Sequence, residues 1–103
     1  MIHIEIDRGK ETLKVNGHAN DAKHPRCIDS IRACEVITFQ VQQLIASIHA
    51  LGKDKPFYEL HSGDFFLQTT GLSEKSRTLV DSFIVGVKLA STAYNDYISV
   101  VEH

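Results

Sequence analysis

The sequence predicts an α+β fold of order ββαββαβ, with two helices packed on one face of a mostly antiparallel sheet. Three observations carry that prediction. Near the start, apolar and polar residues alternate with the period of half-buried strands. Two later stretches repeat apolar residues every three or four positions, the period of helices with one buried face. Between and after them stand short aromatic or β-branched segments bounded by turn residues. With 103 residues in all, the chain has room for one hydrophobic core, so residues 1–103 are expected to form a single domain.

Each element has its own signature. Ile2, Ile4 and Ile6 alternate with His3, Glu5 and Asp7 on a first strand. Arg8, Gly9 and Lys10 supply a turn, and Leu13 and Val15 continue the alternation on a second strand that runs into Asn16, Gly17 and His18. Positions 19–33 then read as a long polar loop with few apolar anchors, and such loops tend to be functional. Cys34, Ile37, Val41, Leu44, Ile45 and Ile48 form the apolar face of a helix. Asp29 or Ser30 is its natural N-cap, and Gly52 marks its far end. Segments 57–61 and 65–69 flank Ser62-Gly63-Asp64 as a hairpin. Ser73 can cap a second helix whose buried stripe is Leu79, Val80, Phe83, Ile84, Val87 and Ala90. Segment 97–101 closes the chain as a last strand.

Composition narrows the function. Eleven basic and thirteen acidic residues leave a net charge of -2, without the basic excess of a nucleic-acid binder. No apolar run approaches the roughly 18–20 residues of a membrane span. The first residues lack the basic and apolar regions of a signal peptide. Two cysteines, Cys27 and Cys34, are too few for a disulfide scaffold. The expected setting is a reducing cytoplasm with free thiols.

Chemistry concentrates around Cys34. A cysteine in the first turn of a helix meets free backbone amides and the positive end of the helix dipole, which favour a thiolate. His18 ends a strand across the polar loop and could meet that thiol at one edge of the sheet. A base beside a thiolate is the minimum machinery for nucleophilic acyl transfer. Spacing alone also fits a buried structural cysteine on an apolar face. His18, His24, Cys27 and Cys34 include zinc-ligand types, but their spacing matches no common zinc pattern. No metal and no cofactor is expected.

A longer comparison adds to this. Gly17-His18-Ala19, a polar loop and a cysteine opening an apolar helix resemble the ribosomal-processing cysteine protease family, Prp. The segment 81–89, Asp-Ser-Phe-Ile-Val-Gly-Val-Lys-Leu, and the segment 94–100, Tyr-Asn-Asp-Tyr-Ile-Ser-Val, are similar to that family as well. The likeness runs from the first strand to Val100. It implies a small α+β homodimer that cuts an N-terminal extension from a ribosomal protein, or, in phage relatives, processes a capsid or scaffold protein. By position, the resemblance implies His18 as catalytic histidine and Cys34 as nucleophile, with Gly17, Ala19 and Thr38 toward substrate. Thr38 stands where the family usually carries a serine. Ile31 stands where it usually carries an aspartate, three residues before the cysteine.

The sequence thus reads as a cysteine endopeptidase with a Cys/His dyad. Its rival is a catalytically silent peptide-binding or assembly module on the same fold. Backbone amides at the start of the first helix are expected to help hold the oxyanion, and the loop 19–33 to close over substrate.

Overall fold

The opening alternation becomes a hairpin of β1 (Ile2–Asp7) and β2 (Thr12–Asn16), with Ile4 opposite Val15 and Ile6 opposite Leu13. Those four residues and Ile2 are buried, whereas His3, Glu5 and Lys14 between them are exposed. The computed structural model describes residues 1–20 and 25–103. Of the expected loop, residues 21–24 lie outside the described residues, and with them the zinc candidate His24.

The first helix, α1 (Ile28–Ser47), begins earlier than the polar composition suggests. Its N-cap is Cys27, not Asp29 or Ser30. The Cys27 N–H donates to Ser30 Oγ at 2.8 Å, and Ser30 Oγ–H donates to the Cys27 carbonyl at 2.9 Å. Ser30 therefore closes the first turn from inside the helix, where it is buried. Ala33 lies within α1, and both Ala19 and Ala33 are fully buried. The connection is thus shorter than 19–33, ending where α1 begins at Ile28.

At its far end α1 passes into a π-helical turn, Ile48–Gly52. The residue that turns the chain out is Lys53, at φ 58°, rather than Gly52. Gly52 has a packing reason to lack a side chain, because a Cβ there would run into Ser76 Oγ. β3 (Tyr58–His61) and β4 (Asp64–Gln68) form the aromatic hairpin, and Gly63 at φ 73° supplies its turn. α2 (Glu74–Ala93) starts at the expected cap, with Ser73 Oγ accepting from the Ser76 N–H. β5 (Ile98–Glu102) follows.

The strands form one sheet in the order β3-β4-β2-β1-β5. Its pairs are antiparallel except β1 with β5, which run parallel because α2 carries the chain back across the layer. The inward residues of β1, β2, β4 and β5 share one core with the apolar stripes of both helices, an α+β arrangement with the helices on one face. Leu67 and Val87 are fully buried at its centre, each contributing about 1.5–3 kcal/mol of hydrophobic stabilisation. Among the described residues, no helix is long and apolar enough to cross a membrane.

Candidate active site

The site is built where the hairpin β3–β4 stands apart from α1. β2 ends at Asn16, and the chain turns at Gly17 with φ 96°. That conformation favours glycine, and a Cβ would also overlap the Met1 carbonyl oxygen. The Gly17 N–H donates to the Gly63 carbonyl at 2.9 Å, tying the end of β2 to the β3–β4 turn. This directs the exposed His18 onto that turn. A Cβ at Gly63 would lie 2.5 Å from His18 Nε2 and 2.6 Å from Cε1, so the far edge of the ring rests on the bare Cα.

On the other side, Cys34, Thr38 and Gln42 follow one another at intervals of four along α1 and so share one helical stripe. They and His18 line a single pocket of about 470 Å³. Gly17 and residues 60–65 complete its walls, and Ile37, Val41 and Val15 make its floor apolar. His18 and Cys34 thus share a pocket, without a hydrogen bond between them. Cys34 is half-buried and free, with polar neighbours at the mouth and hydrocarbon beneath.

Two sequence expectations need correction. Because α1 starts at Ile28, Cys34 is its seventh residue and lies beyond the first turn. The field of a helix terminus fades within that turn, so neither the dipole nor the free amides act on Cys34. They act on Cys27 instead. Its pKa is lowered, chiefly by the hydrogen bond with the Tyr97 hydroxyl, 3.3 Å from its sulfur, and then by Ser30. The Tyr97 phenol is correspondingly pushed up to about 12. The second correction is Ala19, whose side chain is buried in the core and is not part of the pocket wall.

Among the described residues, no group of three His, Cys, Asp or Glu side chains converges as a metal site. Gln42 and the hairpin 60–65 escaped the sequence reading. The spacing of four from Cys34 points to Gln42, but the approach of the hairpin is non-local and leaves no local signal.

No family model and no curated relative matches the sequence. Solved structures do. The chain is similar to the ribosomal processing protease Prp from S. aureus in complex with a covalently linked product peptide, with TM-score 0.80, 18% identity and 100% of both chains covered. A second structure of that protease, in complex with a substrate peptide, gives TM-score 0.82 and 14% identity with the same coverage. SMU.848 from Streptococcus mutans gives TM-score 0.73 and 14% identity, over 98% of this chain and 94% of its own. The chain has the fold of Prp over its whole length.

Proposed function

We propose that this protein is a cysteine endopeptidase of the Prp kind, with Cys34 as nucleophile and His18 as base. The observation that carries the reading is one pocket lined by both residues, in a chain with the fold of a ribosomal processing protease. His18 takes the thiol proton, and the sulfur attacks the scissile carbonyl to give a tetrahedral oxyanion. The α1 amides beside Cys34 are spent within the helix. The Thr38 hydroxyl, one turn on from Cys34 and lining the same pocket, is proposed as a side-chain donor to that oxyanion. His18 then protonates the leaving amine, and water hydrolyses the thioester to release the acyl fragment and restore the thiol. An extended peptide across the pocket, with the connection after Gly17 closing over it, would bring His18 and Cys34 into proton-transfer range.

The proposed substrate is the N-terminal extension of a ribosomal protein, with a phage capsid or scaffold protein as the alternative. The proposed working state is a cytoplasmic homodimer. So small a domain buries a limited share of its surface, and Phe39, Val85 and Leu89 leave large apolar side chains exposed on the two helices.

One observation favours the rival reading of a silent binding module. Ile31 occupies the place of the family aspartate, so no acidic side chain stands one turn before Cys34 to orient the histidine. The two readings separate when the protein is incubated with both kinds of candidate substrate and followed by mass spectrometry. A protease releases two fragments and passes through an acyl adduct on Cys34. A binding module retains the intact peptide.

A further inference from the structure

We infer that Gly63 is a positioning residue for His18, its side-chain-free Cα being the seat that orients the imidazole toward the pocket. The inference rests on the reading of His18 as the proton-transfer group. His18 is solvent-exposed and makes no side-chain hydrogen bond to any described residue. An exposed imidazole without a partner ordinarily samples several rotamers. Here one contact limits it. Nε2, Cε1 and Cδ2 lie 2.5, 2.6 and 3.3 Å from the position of a Cβ on Gly63. The same residue holds the backbone that carries the histidine, because its carbonyl accepts the Gly17 N–H at 2.9 Å. Gly63 therefore both accepts the bond that ties down the stem of His18 and leaves the space in which its ring lies.

Gly63 and Gly17 are both left-handed, yet what a Cβ would meet differs. At Gly17 it would meet the Met1 backbone, which cannot move without disturbing β1. At Gly63 it would meet the end of a flexible side chain, which swings away. A side chain at Gly63 is thus expected to spare the fold and displace the imidazole. Asparagine tolerates φ 73°, so it keeps the turn while filling the seat. D-alanine also suits a positive φ, and its methyl replaces the other hydrogen of Cα, leaving the seat bare.

The test compares wild type, Gly63→Asn and a synthetic chain with D-alanine in place of Gly63. In wild type, a nuclear Overhauser contact joins the His18 ring protons to the Gly63 Cα protons. Gly63→Asn is expected to keep its circular dichroism and lose that ring's fixed orientation. It should slow cleavage by about 100-fold, the scale of a 1 Å misplacement, and change the pH–rate profile. D-alanine should restore the rate, the profile and the contact. The inference is overturned if Gly63→Asn keeps the wild-type ring contact, rate and pH profile, or if D-alanine is as slow as asparagine. A wild type that shows the ring contact and cuts no peptide refutes the peptidase reading instead, and the seat stands on the spectra alone.

Discussion

Cys27 caps α1 and Cys34 lies seven residues further along the same helix, so the helix terminus acts on the thiol outside the pocket. The two thiols therefore carry different chemistry. Cys27 is exposed, its thiolate is favoured by the Tyr97 hydroxyl and Ser30, and it does not line the pocket. Iodoacetamide is expected to alkylate Cys27 below the ordinary thiol pKa of about 8.5. Tyr97→Phe removes the largest cause of that shift and should move its labelling profile to higher pH. Mass-spectrometric mapping of labelled peptides across pH 5–9 decides it. Cys27 labelling that is unchanged by Tyr97→Phe would refute the pairing. Cys27→Ser should retain cleavage, because the thiol stands outside the site.

Gly17→Ala should cost stability before it costs anything else. The new Cβ meets backbone at Met1, and the residue must keep a positive φ. Strain of this kind is worth about 1–3 kcal/mol. Urea denaturation should show a lower midpoint at unchanged slope. A midpoint equal to wild type would show that the β1 end yields freely.

Asp54 links the end of the π-helical turn to the start of α2. Its Oδ2 accepts from the Ser73 N–H at 3.1 Å, from Ser73 Oγ at 2.7 Å and from the buried Ser76 Oγ in a short bond. Those bonds, Ser73 first, lower its pKa. A carboxylate with a lowered folded pKa adds stability that is present above its unfolded pKa, about 3.9. That stability is lost as pH falls through the folded value. Asp54→Ala is therefore expected to lower the Tm at pH 7, and the gap between variant and wild type should narrow as pH falls below the unfolded value of about 3.9. Thermal melts at pH 7, 4 and 2.5 measure it, and a gap independent of pH would contradict the charge-assisted cap.

Thr38 tests the oxyanion assignment. Thr38→Ser keeps the hydroxyl and should cleave at close to the wild-type rate. Thr38→Val keeps the shape and loses the donor. It should lower kcat by about tenfold or more with little change in KM, as expected for a bond formed in the transition state. Equal kcat values for serine and valine would remove Thr38 from that role.

The sequence made most of the fold legible because its periodicities are local. Ile2, Ile4 and Ile6 announce β1, and Ser73 announces α2, within a few residues of where the structure puts them. What local pattern could not carry was pairing across the chain. Nothing near Ile98 says that β5 runs parallel to β1, and nothing near Gly63 says that a histidine 45 positions earlier rests on it. α1 starts before Asp29 and Ser30 because Ser30 works as a cap from the third helical position, reaching back to Cys27. The same shift moves the helix terminus from Cys34 to Cys27. His18 and Cys34 line one pocket.

The most direct test of the central reading is capture of the acyl-enzyme. The protein is mixed with a peptide spanning a ribosomal-protein extension, quenched in acid within milliseconds to seconds, and digested for mass mapping. Two cleavage fragments and a transient mass increase on the Cys34 peptide equal to the acyl fragment are expected, both absent from Cys34→Ser and His18→Ala. Cleavage by Cys34→Ser at the wild-type rate, or an acyl mass on Cys27 with none on Cys34, would contradict it.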